Sequence, residues 1–185
     1  ADLDACVEKS LLAVFGNAGQ DCCARSRILV EQSAHAAWVA KFADATRRLR
    51  VGDPLDPATQ VGSLISRSHR DRVCGYLEVG KGEGARLLCG GEAPSTGPLA
   101  RGSFLMPAVF DGVTPSMRIA REEFLGPVGA VLPFRDEAEA IAYNLLPEHK
   151  IYDWQLGNGG GGLDSGIGLI AIPSVLRDLE NSGLT

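Results

Sequence analysis

A chain of 185 residues, with 45% hydrophobic and 22% charged side chains and a formal net charge of -5, can bury one globular core and leaves little room for a second complete domain. The acidic balance, with Lys and Arg scattered along the chain, argues against nucleic acid as a partner. The longest apolar runs, at residues 128–134 and 167–173, fall far short of the roughly 20 residues that cross a bilayer, and the amino-terminal stretch lacks a secretory pattern, so no membrane role and a cytoplasmic setting are expected.

In chain order, Val7, Leu11 and Val14 recur at helical spacing behind Asp2 and Asp4, either of which can cap the start. This predicts a helix over residues 4–15 that stops at Gly16. A loop over residues 16–23 follows, and "SRILVEQ" reads as a short buried strand centred on residues 28–30. Ser33 then reads as the N-cap of a helix that places Trp38, Phe42, Ala45 and Leu49 on one face. "VGDPLDPATQVG" carries Gly and Pro punctuation and reads as a surface connection. A further helix is expected over residues 69–79, with Val73, Tyr76 and Leu77 inward and "KGEGA" ending it.

Three short strands follow in "ARLLCGG", "FLMPAVF" and "VGAVLPF", and a helix is expected to begin near Asp136. Strands alternating with helices at this spacing predict an α/β fold, a sheet flanked by helices. From residue 145 the composition changes, with glycines at 159–162 and no sustained period, so residues 145–185 read as a Gly-rich, divergent tail. No "GK[ST]" follows those glycines, which excludes a phosphate-binding loop of that type.

The five cysteines, Cys6, Cys22, Cys23, Cys74 and Cys89, are odd in number and lack CxxC spacing, so reduced thiols and no metal centre are expected. Cysteine most often packs as a small hydrophobe, and Cys6, Cys74 and Cys89 fall in helical or strand patterns where that reading suffices. Cys22 is different because it sits behind the loop of "FGNAGQDCCARSR". A thiol attacks only as its thiolate, which needs donors, dipoles or positive charge nearby. Gly16 and Gly19 allow backbone amides to approach closely, and the same amides can hold an oxyanion. Cys23 then reads as a packing neighbour. His35, His69 and His149 fit no catalytic arrangement and read as surface histidines.

"FGNAGQDCCA" resembles the catalytic-cysteine signature of the NAD(P)-dependent aldehyde dehydrogenases, Phe-x-Asn-x-Gly-Gln-x-Cys-x-Ala, through Phe15, Asn17, Gly19, Gln20, Cys22 and Ala24. "REEFLGPV" resembles the same family's Glu-Glu-x-Phe-Gly-Pro-Val motif through Glu122, Glu123, Gly126, Pro127 and Val128. The resemblance covers residues 1–144. It implies a partial catalytic domain that oxidises an aldehyde substrate to a carboxylic acid with NAD or NADP, through a thiohemiacetal and a thioester on Cys22. It implies that Glu123 binds hydroxyls of the nicotinamide ribose, and that Leu125 stands where the family has a phenylalanine beside the nicotinamide. It also implies a homo-oligomer.

Ser63 replaces a proline of the family's turn, and Arg72 a lysine near the cofactor. The family's general-base glutamate, dinucleotide-binding domain and oxyanion asparagine match nothing in this sequence, so the chain reads as a catalytic-domain fragment with little dehydrogenase activity of its own. Two rival readings stand beside this one. Cys22 is the nucleophile of a thiol esterase or hydrolase, which needs a histidine nearby in space; or the chain is a non-catalytic remnant or interaction module.

Overall fold

The computed structural model describes residues 2–144 and 169–172. Helix α1 (Leu3–Phe15) starts where the Asp2 carboxylate accepts the Asp4 and Ala5 amides at 3.0 and 3.1 Å, so Asp2 is the cap. Strand β1 (Arg27–Glu31) runs directly into α2 (Gln32–Arg47). Ser33 was the expected cap of α2, but the chain turns earlier, at Glu31, and Ser33 lies inside the first turn with its hydroxyl on the Glu31 carboxylate at 3.0 Å. Helix α3 (Arg67–Gly82) begins before the expected boundary, because the Ser66 hydroxyl accepts the His69 amide at 3.1 Å. Strands β2 (Arg86–Cys89) and β3 (Ala108–Asp111), one turn of helix α4 (Arg118–Arg121), strand β4 (Val128–Phe134) and helix α5 (Glu137–Asn144) complete the main body.

Within residues 145–185, read as a Gly-rich, divergent tail, strand β5 (Leu169–Ile172) pairs with β1 in register Arg27↔Leu169 to Val30↔Ile172. The rest of that segment, including His149 and the glycine run, lies outside the described residues.

The sheet has the order β2-β3-β4-β1-β5, with β2 antiparallel at one edge and every other pairing parallel. Parallel strands are covered on both faces, and Arg27 through Val30 are accordingly all buried. Pro133 is tolerated in β4 because β3 pairs only with residues 128–130, leaving β1 as the neighbour at that position. Stacked rings of Trp38 and Phe42 (centroids 4.6 Å apart) and of Phe15 and Phe42 (5.9 Å) lock α1 to α2 in the core. No helix among the described residues is long and apolar enough to cross a membrane.

At the carboxyl end of β3, His35 corrects the surface reading of that residue. Its Nε2 lies 2.7 Å from the buried Asp111 carboxylate, and Arg86 donates to the same group at 2.6 Å. Burial pushes the Asp111 pKa up, but Arg86, the Gly112 amide and His35 together outweigh it and hold the carboxyl below its ordinary value. A depressed folded-state pKa contributes stability that is present above the unfolded-state value and is lost as pH falls through the folded one. Asp111→Asn is expected to cost about 2 kcal/mol at neutral pH, since it removes charge-assisted bonds to Arg86 and His35. Urea unfolding as a function of pH checks this: the difference from wild type should shrink in acid, and a constant difference would contradict the assignment.

Candidate active site

Between α1 and β1 the chain makes a tight left-handed turn. Asn17, Ala18 and Gly19 have φ of 51°, 55° and 68°. For the two non-glycine residues this conformation costs roughly 1–2 kcal/mol each. Side chains brace it: Asn17 Nδ2 donates to the Gln20 carbonyl at 2.9 Å, and Gln20 Nε2 donates to the Asn17 carbonyl at 3.3 Å. Gln20 also fastens the loop to a distant segment, accepting the Ile65 amide at 2.8 Å and donating to the Ser63 carbonyl at 3.4 Å. Both contacts use the backbone of residues 63–65, so the serine that replaces the family's proline leaves this tie intact.

The turn brings the two sequence motifs together. A Cβ placed on Gly19 would lie 2.1 Å from the Gly126 carbonyl oxygen, so the backbones of the two loops touch there. Gly126 in turn backs onto Val73 of α3, whose Cγ1 lies 2.7 Å from where a Cβ would stand. A pocket opens beside this contact, lined by Gly19, Asp21, Ala24, Glu123, Leu125 and Gly126. It sits where the chain enters β1 and β4, at the amino-terminal edge of the parallel strands, opposite the carboxyl edge where open α/β sheets hold nucleotides.

Of the predicted site residues, Glu123 and Leu125 line this pocket. Cys22 is on the same loop but is not among the lining residues; its neighbours Asp21 and Ala24 are. Both Cys22 and Cys23 are exposed, which corrects the reading of Cys23 as a packing neighbour. The thiols lie 3.8 Å apart. The environment does not favour the Cys22 thiolate: the Cys23 thiol, and after it the Asp21 carboxylate, push the Cys22 pKa above its ordinary value. Removing the larger cause should reverse part of this. In Cys23→Ala, the pH midpoint for alkylation of Cys22 by iodoacetamide is expected to fall toward the ordinary thiol value, as read by peptide mass analysis; an unchanged midpoint would contradict it.

The acidic pair divides its work. Glu122 accepts two bonds from the Arg118 guanidinium, at 2.6 and 2.9 Å, and one from the Tyr76 hydroxyl at 2.9 Å, which hold its carboxyl below the ordinary range. Glu123 is exposed and lines the pocket. Beneath it, buried Arg27 donates to the Ala120 carbonyl at 2.7 Å. Burial lowers the Arg27 pKa to about 9, against the opposing attraction of Glu123, and the group stays charged at neutral pH.

Leu125 holds a left-handed φ of 48° and is 38% exposed. Its carbonyl accepts a bond from His69 Nε2 at 2.8 Å, so that nitrogen carries the proton. Sequence reasoning missed His69, Asp21 and Arg27 here. No local signal marks His69, because its partner lies on a different loop 56 positions away. Arg72, read as a substitute for a cofactor lysine, is exposed on α3. Among the described residues, His35 engages Asp111 and His69 the Leu125 carbonyl, neither of them a thiol, which removes the support for a cysteine–histidine hydrolase.

Glu123 sets a carboxylate beside the apolar Leu125 side chain at this small pocket, and a carboxylate accepts bonds from two neighbouring hydroxyls.

A family model described as the aldehyde dehydrogenase family matches residues 1–144. A 5-carboxymethyl-2-hydroxymuconate semialdehyde dehydrogenase of Escherichia coli is 48% identical over 144 residues, 76% of this chain and 31% of that protein. A betaine aldehyde dehydrogenase of Brucella anthropi is 44% identical over 142 residues, 77% of this chain and 29% of that protein. Among solved structures, an aldehyde dehydrogenase of Mycobacterium tuberculosis complexed with NAD+ superposes with a TM-score of 0.73 at 44% identity, covering 77% of this chain and 29% of that one. The chain thus spans less than a third of the length of the relatives it matches.

Proposed function

Since the chain belongs to the aldehyde dehydrogenase family, we propose that residues 1–144 carry the catalytic-cysteine core for oxidising an aldehyde to a carboxylic acid with NAD or NADP. The observation that carries this reading is the meeting of the Cys22 loop and the Glu123 loop at one pocket, through the Gly19–Gly126 contact.

Cys22 is the nucleophile. Its thiol gives up a proton, and the sulfur adds to the aldehyde carbon, so a carbon–sulfur bond forms as the carbonyl oxygen becomes an oxyanion. The family resemblance makes the amide of Cys22 itself an oxyanion donor, whereas the neighbouring amides of Cys23 and Ala24 are engaged with Asp21 Oδ1 at 2.8 Å and the Asp21 carbonyl at 3.0 Å. Glu123 binds ribose hydroxyls, and Leu125 offers an apolar contact at the nicotinamide side of the pocket. NAD or NADP, when bound, supplies the acceptor for the hydride leaving the carbonyl carbon. Hydrolysis of the acyl group from the Cys22 sulfur then returns the thiol. The five free cysteines suit a reducing compartment, the cytoplasm.

The test asks whether the two loops form one site. Nicotinamide mononucleotide at high concentration should slow iodoacetamide alkylation of Cys22 in the wild-type chain and lose that effect in Glu123→Gln. Equal protection in both, or none in either, would overturn the shared site.

A further inference from the structure

We propose that Asp21, Cys22 and Cys23 form a binding site for a thiophilic divalent cation of the zinc type. The ion bridges the two sulfurs, and the Asp21 carboxylate supplies a third ligand. One ligand atom from each residue lies within 4.8 Å of the others, and this is the grouping of its kind among the described residues.

The sulfur spacing selects the ligand. Two thiolates bound at about 2.3 Å to one tetrahedral ion lie about 3.8 Å apart. The observed Sγ–Sγ separation is 3.8 Å. A disulfide would instead have to draw the sulfurs together to about 2.05 Å, in a strained ring between adjacent residues, and would need an oxidant. An ion bridges them where they stand. Asp21 is already fixed beside them, because its Oδ1 accepts the Cys23 amide at 2.8 Å, and a carboxylate has a second oxygen to offer an ion.

All three residues are exposed, so an ion reaches them from solvent, and three protein ligands leave an open position for water. The thiolate pair makes the site prefer soft and borderline ions to magnesium or calcium. On binding, two metal–sulfur bonds form and two thiol protons pass to solvent, with no change of oxidation state. The expectation of no metal centre rested on CxxC spacing, and adjacent cysteines on a tight loop escape that pattern. Metal binding stands independently of catalysis. Its consequence, that an occupied site has no free Cys22 sulfur to add to a carbonyl, rests on the reading of Cys22 as the nucleophile.

Cobalt(II) titration of the reduced 185-residue chain tests the proposal through the sulfur-to-metal charge-transfer absorbance. One equivalent should develop the band, and zinc should displace it. Cys22→Ser and Cys23→Ser should each abolish it while far-UV dichroism stays unchanged. Asp21→Asn should weaken binding by at least about tenfold, since losing a direct ligand costs no less than losing an outer-shell partner. A variant with Cys6, Cys74 and Cys89 all changed to serine should retain the band. A band that survives Cys22→Ser or Cys23→Ser, or a folded wild-type chain with no band, would overturn the site. Acylation of Cys22 by an activated ester, measured in parallel without metal, reports on the nucleophile separately, so either reading can fail alone.

Discussion

Replacing Gly19 with alanine is expected to cost about 3–4 kcal/mol of stability, a large share of what holds a domain of this size. Two separate effects add. Gly19 has a φ of 68°, where a side chain costs about 1 kcal/mol relative to glycine. A new Cβ would also stand 2.1 Å from the Gly126 carbonyl oxygen, a backbone atom that cannot swing aside as a long side chain could. Relief requires the two motif loops to part, and Gly126 is itself held against Val73. Gly112 supplies the control, because its φ is 67° but nothing lies within 4 Å of its Cβ direction. Gly112→Ala should therefore cost only about 1 kcal/mol, the conformational part alone. Urea unfolding of both variants separates the terms; equal losses would mean that the loop contact carries no weight.

The second large effect concerns chemistry. With p-nitrophenyl acetate the wild-type chain should release a burst of nitrophenolate and carry one acetyl group on Cys22. Cys22→Ser should lower the burst rate by more than about a thousandfold, equivalent to about 4 kcal/mol of barrier. A hydroxyl has almost no anion at neutral pH, whereas a thiol retains a small fraction of thiolate even with its pKa raised by Cys23 and Asp21. Cys23→Ala should retain the burst and quicken it, because the larger cause of that raised pKa is gone. A burst that follows Cys23 instead would reassign the nucleophile to the neighbouring sulfur.

Much of the fold was legible because local signals and tertiary packing agreed. Asp2 before an apolar period marks α1, and Asp136 before "EAEAIAYN" marks α5, where Asp136 accepts the Glu139 amide at 2.9 Å and the Glu139 carboxylate accepts the Arg135 amide at 2.7 Å. The Arg135 guanidinium, followed by the Arg135 amide and the Tyr143 hydroxyl, draws the Glu139 carboxyl down to about 2. Ser33 misled because nothing local says that β1 continues into α2 without a loop. Strand β5 was illegible since four apolar residues in a glycine-rich stretch have no period, and only pairing with β1, some 140 positions earlier, makes them a strand.

The site divides along the same line. Its residue types stand in two motifs, but the contact that joins them, Gly19 against Gly126, spans over a hundred positions. The glycine-rich loop suggested amides that favour a thiolate; the dominant neighbours of Cys22 are instead a second thiol and a carboxylate, and they act the opposite way. Side-chain proximity of that kind is set by the turn's left-handed backbone, which residue spacing does not encode.

The central claim is that Cys22 takes up an aldehyde at its sulfur. Carbon NMR of the chain mixed with an aldehyde labelled at its carbonyl carbon measures this directly. The wild-type chain should convert part of the carbonyl resonance into a hemithioacetal resonance that Cys22→Ser lacks and Cys23→Ala retains. A hemithioacetal signal that persists undiminished in Cys22→Ser, or none from the folded wild-type chain, would contradict it.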